Sequence, residues 1–241
     1  MSAPAFVGAI LGLRKGVPNN ADVDSETSKR IAGEMLRLLG AARPAGAGDP
    51  GTALENGVRD YLAVELPARD PDRTWQVERR RLIADFEQYR HLASLDRLIR
   101  KDPTGTLAVE IGRDYLIRPD VTVGVVVDPD RPPILHAAIS CKWTIRSDRV
   151  QNIRHEGVIL TRHRRGRQPH IVTVTVEPLP SRIAAIARGT GEVDAVYHAA
   201  LEELQAATRV AGTEEQQRVL EELVGQNRLK DFVELPAALV L

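Results

Sequence analysis

Residues 140–157 read SCKWTIRSDRVQNIRHEG, and the order of their residue types predicts a strand followed by a helix. The residues that lead into this segment, 134–139, are mostly apolar, as in a buried strand that ends on one charged group, here Lys142. Ser147 can cap the helix that follows. Apolar or small residues then recur along one helix face at three- and four-residue steps: Val150, Ile153, Gly157 and Leu160. This helix would bring Glu156 back to the end of the strand that carries the lysine.

The composition favours one domain spanning residues 1–241. The chain has 241 residues, of which 43% are hydrophobic, and this is enough to bury a substantial core. Its 33 Lys and Arg residues balance 33 Asp and Glu residues, so no overall positive charge indicates a nucleic-acid partner. Basic residues are nevertheless in excess between Lys142 and Arg167. This basic segment fits either a phosphodiester backbone or a solvated charged face.

The cysteine content and the hydropathy pattern bound the cellular setting. Cys141 is the single cysteine, which excludes a disulfide framework and a thiolate zinc cluster and fits a reducing cytoplasm. Residues 3–13 are apolar for a short stretch but have neither a basic leader nor a long apolar core. No stretch approaches the length of a transmembrane helix. We therefore expect a cytoplasmic protein that has no membrane partner.

The pattern along the chain predicts an α/β protein. Helices are expected after a cap at Asp24 or Ser25, around 54–62, over 76–101, from Ser181, and over 194–207 and 213–225. Strands are expected over 107–111, 115–127, 134–142 and 170–176. Asp22 would lie in the loop before the first of these helices, and Glu55 on the second.

Four side chains suggest phosphodiester hydrolysis. Asp120 follows a proline at the entry to an apolar strand, where a carboxylate is costly unless it is paired or metal-bound. Asp120 and Glu156 can hold divalent cations that polarise a phosphate and activate water. Lys142 can orient that water and stabilise the added negative charge. Nucleases usually have an acid two residues before such a lysine; here that residue is Ser140, and Glu156 supplies the missing carboxylate.

The residues between strand and helix suggest recognition of bases. Arginine donates two hydrogen bonds to guanine in the major groove, and a carboxylate accepts one from cytosine. Arg146, Asp148 and Arg149 could therefore read guanines and their neighbouring cytosines. A two-fold dimer would repeat the contacts on both strands and give a central CCGG. The alternative interpretation is a local cluster of ion pairs at the start of the helix.

The sequence also resembles a known family, the NgoMIV-like type II restriction endonucleases of the CCGG group, within the PD-(D/E)xK nuclease superfamily. The central part of the resemblance is 135–149 together with Gln151 and Asn152. Further matching segments cover most of the chain: 20–22, 114–120, 167–172, 180–183, 189–192 and 229–231. The resemblance implies a restriction-endonuclease-like PD-(D/E)xK core, in which helices flank a central mixed β-sheet.

The resemblance implies roles for individual residues. The catalytic residues of the family fall on Asp120, Ser140, Lys142 and Glu156, with an additional glutamate on Glu55. Metal ions of the family would be held by Asp120, Glu156 and the main-chain carbonyl of Cys141. The readers of the inner CCGG fall on Arg146, Asp148 and Arg149, and those of the outer G:C pair fall on Asp22 and Arg182.

The resemblance further implies an activity and partners. It implies Mg²⁺-dependent cleavage of double-stranded DNA at GCCGGC after the first G, with two Mg²⁺ ions per active site and a four-base 5′ overhang. A homodimer, or a homotetramer that binds two DNA sites, would perform it, and a cognate methyltransferase would be the genetic partner. Three alternatives remain open: an endonuclease for another CCGG-containing site, a structure-specific nuclease, and a DNA-binding module that does not cleave.

Overall fold

The computed structural model describes residues 3–112, 114–189 and 191–241, with the backbone alone for 147–149. The helices are α1 (Ala5–Ile10), α2 (Glu26–Leu38), α3 (Pro50–Arg69), α4 (Arg90–Lys101), α5 (Thr106–Ile111), α6 (Ser147–His163), α7 (Pro180–Ala187), α8 (Leu201–Ala211), α9 (Glu214–Gly225) and α10 (Leu235–Val240). The strands are β1 (Leu13–Arg14), β2 (Val17–Pro18), β3 (Thr74–Arg79), β4 (Val121–Val126), β5 (Ile134–Lys142), β6 (His170–Thr175), β7 (Ala195–His198) and β8 (Leu229–Asp231). Short 3₁₀ helices cover Ile83–Asp85, Glu87–Tyr89 and Phe232–Glu234.

The central sheet of the described chain is mixed and has the strand order β3-β4-β5-β6-β7-β8. The pairs β3–β4 and β4–β5 are antiparallel, whereas β5 to β8 run parallel. Helices α6, α7 and the pair α8 and α9 supply the crossovers that parallel strands need. Because β4 is antiparallel to β5, the start of β4 lies at the same edge as the end of β5. Asp120 and Lys142 therefore meet at this edge.

Hydrophobic residues pack against both faces of the sheet. The larger cluster contains Ile31 of α2, Leu62 of α3 and Ile139 of β5, all fully buried. The smaller cluster joins α4, the adjoining 3₁₀ helices and the second half of α6 to the opposite face. The expected fold class, an α/β restriction-endonuclease-like core with a helix-flanked mixed sheet, is confirmed. Within the described residues, no helix is both long and apolar enough to span a membrane.

A β-bulge interrupts β5 before it reaches its polar end. Val123 pairs with Ala137 and Gly124 pairs with Leu135, so His136 is an extra residue with no partner in the ladder. The extra residue therefore shifts by one position the alternation of side chains between the two faces of the sheet. His136 is buried, and its Nε2 lies 2.7 Å from the carbonyl oxygen of Leu239 in α10.

The sequence predictions for the segments around the site are confirmed. Strand β5 ends at Lys142, α6 begins at Ser147, and Ser25 caps α2 by accepting a hydrogen bond from the Ser28 N–H at 3.2 Å. The expected apolar face of α6 is buried at Val150, Ile153, Gly157 and Leu160. The helix cap is different from the prediction: the N-cap position belongs to Arg146, which makes no capping hydrogen bond.

Four other predictions were wrong in whole or in part. The segment expected as a helix over 76–101 begins in the edge strand β3, whose main chain pairs with β4. It then passes through two 3₁₀ helices and is α-helical only from Arg90. The strand expected over 107–111 is the short helix α5, which buries none of its residues, and the strand expected over 115–127 starts at Val121, after Pro119. The helix expected over 194–207 begins as the buried strand β7.

Candidate active site and DNA interface

The predicted catalytic side chains meet at the edge where β4 begins and β5 ends. Lys142 Nζ donates to Asp120 Oδ2 at 2.7 Å, and the same oxygen accepts from the Cys141 main-chain N–H at 2.8 Å. On α6, Glu156 Oε2 accepts a hydrogen bond from Ser140 Oγ at 3.2 Å. The chain therefore holds a lysine and two carboxylates in one place, with the serine orienting the second carboxylate.

These residues lie at an open cleft of about 380 Å³. Its described lining is Asp49, Pro50, Gly51, Glu55, Asp120, Cys141, Lys142, Trp143, Thr144, Asn152 and Glu156. The polar lining comes from the start of α3, the residue before β4, the end of β5 and one face of α6. Asn152 was matched to the family by sequence without a role, and the structure adds it to the cleft.

The electrostatics of the cleft favour the addition of a cation. Burial raises the pKa of the Glu156 carboxyl, and the charge of Asp120 raises it further, whereas Lys142 and the hydrogen bond from Ser140 act in the opposite direction. Two carboxylates and carbonyl or water oxygens form the ligand set that Mg²⁺ uses in proteins. Within the described residues, no three His, Cys, Asp or Glu side chains form a metal-binding group. This donor set fits a divalent cation that keeps several of its waters.

Glu55 is buried at the back of the cleft between two arginines that sequence reasoning did not assign. Arg79 Nη2 and Arg80 Nη2 both bind its carboxylate, the latter at 3.0 Å. Burial opposes the ionisation of Glu55, but the hydrogen bonds from Arg80 and Arg79 outweigh it and lower the pKa. Arg80 adopts a left-handed backbone conformation with φ of 52°, which is strained for a residue with a side chain. Its main-chain N–H also donates to the Asp120 carbonyl at 3.2 Å.

The predicted outer-pair readers are brought together from distant parts of the chain. Arg182 Nη2 at the start of α7 binds the Asp22 carboxylate in the loop before α2. The hydrogen bond from the Asp24 N–H lowers the pKa of Asp22, as do the charges of Arg182 and, more weakly, Arg146. Arg146 therefore lies on the same side of the molecule as the ion pair. The side chains of Asp148 and Arg149 lie outside the described residues.

Glu177 joins these segments, and sequence reasoning missed it. It follows β6 and is fully buried, and burial raises its pKa to about 7 against the lowering effect of its main-chain hydrogen bonds. Oε2 accepts from the Ile145 N–H at 2.7 Å, and Oε1 accepts from the Leu179 N–H at 3.1 Å. A usable signal was present: Glu177 is a carboxylate beside a proline just after a buried strand, as Asp120 is a carboxylate beside a proline just before one.

The fold and the catalytic edge together define a class. A mixed sheet that presents an aspartate at the head of one strand, a lysine at the end of the antiparallel neighbour and a glutamate on the next helix is a PD-(D/E)xK nuclease core, here with Ser140 in the acidic position of the motif.

Comparisons with known proteins identify the family. The family described as NgoMIV restriction enzyme matches residues 8–131 and 124–241. The chain is 37% identical over 262 residues to the type II restriction enzyme NgoMIV of Neisseria gonorrhoeae, an alignment that covers 94% of this chain and 91% of that protein. The protein belongs to the NgoMIV restriction enzyme family, and it is a type II site-specific deoxyribonuclease.

Proposed function

We propose that this enzyme is a Mg²⁺-dependent endonuclease that cuts double-stranded DNA at GCCGGC, after the first G, leaving a four-base 5′ overhang. The observation that carries the proposal is the catalytic edge, where Lys142 lies 2.7 Å from Asp120 and Ser140 orients Glu156. Arginine and aspartate residues, the types suited to guanine and cytosine, follow Lys142 in the segment after β5. We also propose that residues 1–241 form one endonuclease domain, since both hydrophobic clusters pack on the same sheet.

The roles of the catalytic residues follow from their chemistry. Asp120 and Glu156 would hold two Mg²⁺ ions together with the main-chain carbonyl of Cys141. The N–H of Cys141 points to Asp120, and in a strand the N–H and C=O of one residue point to the same side. The Cys141 carbonyl therefore faces the side on which Asp120 lies. Bound Mg²⁺ supplies Lewis-acid polarisation of the phosphate and a more acidic water. Lys142, released from Asp120, donates to the attacking water and to the oxygens of the scissile phosphate.

Glu55 and Ser140 would act on the geometry of the cleft. Ser140 donates to Glu156 and keeps one carboxylate oxygen directed at the cleft. Glu55 remains ionised because Arg79 and Arg80 bind it, and it holds both guanidinium groups beside the cleft. Arg80, whose side chain is 60% exposed, can turn its guanidinium toward a phosphate while Arg79 stays on Glu55.

The reading of the site is divided between two groups of residues. Arg146, Asp148 and Arg149 at the start of α6 would read the inner CCGG, and Asp22 and Arg182 the outer G:C pair. Arginine recognises guanine, and aspartate recognises cytosine, so the ion pair of Asp22 and Arg182 already contains the two side-chain types that one G:C pair requires. In the free protein these two side chains satisfy each other.

The partners follow from the symmetry of the site. GCCGGC is palindromic, so a two-fold homodimer would present one set of readers and one cleft to each strand. We propose a homotetramer of two such dimers that binds two DNA sites, with a cognate methyltransferase that protects host DNA. We further propose a cytoplasmic location, since the enzyme and its methyltransferase would act on DNA inside the cell.

Digestion of two sequenced plasmids tests the proposal. One carries GCCGGC and the other carries CCGG only in other contexts, and each is incubated with and without Mg²⁺ before the ends are sequenced. We expect cutting of the first plasmid alone, with Mg²⁺, to give 5′-CCGG ends. Cutting at every CCGG would remove the roles of Asp22 and Arg182, and absence of cutting with Mg²⁺ would refute the nuclease assignment of the cleft.

A further inference from the structure

Three segments that carry proposed DNA readers converge on the chain just after β6. The segment after β5 leads to Arg146, the segment after β6 leads to Arg182, and the loop before α2 carries Asp22. Each is hydrogen-bonded to either Val176 or Glu177. Ile145 and Leu179 donate their N–H groups to the Glu177 carboxylate, and Asn20 Nδ2 donates to the Val176 carbonyl at 2.9 Å.

The carboxylate of Glu177 is the branch point of this network. One oxygen holds the main chain one residue before Arg146, and the other holds the main chain three residues before Arg182. Arg182 Nη1 also lies 4.0 Å from Glu177 Oε2, while its Nη2 binds Asp22. A displacement of this one carboxylate would therefore change the distance between the inner and the outer readers.

The support for Glu177 extends to the catalytic strand and into the core. Thr175 Oγ1 donates to the Lys142 carbonyl at 2.7 Å and accepts from the Glu177 N–H at 3.1 Å. On the other side, His198 Nδ1 accepts from the Ala200 N–H at 3.1 Å, so its Nε2–H donates to the Glu177 carbonyl at 3.2 Å. Main chain and side chain of Glu177 are thus both fixed.

We propose that Glu177 is a positioning residue that sets the spacing between Arg146 and the Asp22–Arg182 pair and thereby determines how strictly the outer G:C pair is read. This inference rests on the proposed function, since it presupposes those readers. An ionisable side chain buried this completely is retained at a cost in stability, which is typical of residues kept for function. An apolar replacement would leave the Ile145 and Leu179 N–H groups without their acceptors.

The test compares the kcat/KM ratio for a GCCGGC duplex over an ACCGGT duplex at fixed salt and Mg²⁺. This ratio is independent of the fraction of folded enzyme, because both substrates meet the same active molecules. Glu177→Gln keeps the shape but offers a single acceptor oxygen, and its ratio should fall at least about tenfold, the scale of one good base contact. Glu222→Gln is the matched control, since Glu222 forms an exposed ion pair with Arg188 and neither residue is a proposed reader.

Glu177→Asp keeps the test decisive if the glutamine variant does not fold. The aspartate side chain is shorter, but its carboxylate can accept both main-chain hydrogen bonds. We expect its kcat/KM ratio to lie between those of wild type and Glu177→Gln. A wild-type ratio in both Glu177 variants overturns the inference while leaving the proposed function intact. A wild-type enzyme that does not discriminate the two duplexes overturns the outer-reader assignment and this inference together, and a lowered ratio in the Glu222 control overturns the inference alone.

Discussion

The burial of Glu177 makes a quantitative prediction about the pH dependence of stability. Burial raises its pKa in the folded protein to about 7, from an ordinary value of 4.5. The folded protein therefore holds this proton more tightly than the unfolded chain does. The corresponding stabilisation is fully present below about pH 4.5 and is lost as pH rises through about 7.

The size of the effect follows from these two pKa values. Each unit of difference corresponds to about 1.4 kcal/mol, and the interval between about pH 5 and about pH 8 covers most of the titration. Over this interval the Glu177 contribution to the free energy of unfolding should fall by about 2.5 kcal/mol. Glu177→Gln removes the titration but also weakens one main-chain hydrogen bond, which shifts its stability by an amount that does not depend on pH.

Urea unfolding of wild type and Glu177→Gln at the two pH values measures the effect, in the absence of DNA and Mg²⁺. The difference between the two proteins, compared between the two pH values, isolates Glu177 because other titrating groups cancel. Between about pH 5 and about pH 8, the free energy of unfolding of wild type should fall by about 2.5 kcal/mol more than that of the variant. A difference near zero, or a gain for wild type, would refute the reasoning that burial dominates the environment of this carboxylate.

Other predictions concern cleavage, binding and packing. Lys142→Ala should slow single-turnover cleavage of a GCCGGC duplex at least about 100-fold and retain binding; cleavage at the wild-type rate would contradict its role. Arg146→Ala should weaken cognate binding by about 1–3 kcal/mol in a titration at fixed salt, and binding of an unrelated duplex much less; equal losses would indicate a phosphate contact. Gly157→Ala would place a methyl group 2.5 Å from the Glu192 carbonyl oxygen, so urea unfolding should show a loss of about 1–3 kcal/mol, with slower cleavage. Gly33→Ala, which faces open space in α2, is its control and should gain about 0.4–1 kcal/mol. Chelation of Mg²⁺ should stop cleavage, and added Mg²⁺ should restore it.

The elements around the catalytic edge could be predicted because their signals are local. The apolar run of β5 ends at Lys142, and the apolar residues of α6 recur at helical spacing within one segment. Both elements can therefore be predicted without knowledge of distant contacts. The edge strand β3 and the short strand β7 could not be read in this way. In β3 the charged residues Glu78 and Arg79 give a pattern that also fits an exposed helix. The apolar run of β7 is too short for its pattern to distinguish a strand from a helix.

The candidate site shows the same limit. Asp120, Lys142 and Glu156 follow from the chemistry of their own segments, whereas Asp22 and Arg182 are 160 positions apart and were assigned through the resemblance to the family. The arginines around Glu55 come from a neighbouring strand, and their partner is defined only once β3 packs beside α3. Residues that act through tertiary contacts carry little signal in a single sequence.

The bulge at His136 has a consequence for how the protein can evolve. The pairing of β5 with β4 is set separately on the two sides of the extra residue. A change of length in the turn at 128–133 can be absorbed by moving or removing the bulge, while Ile139 stays opposite Val121 and the lysine stays at its edge. This turn is therefore a position where insertions and deletions can accumulate without altering the nuclease chemistry.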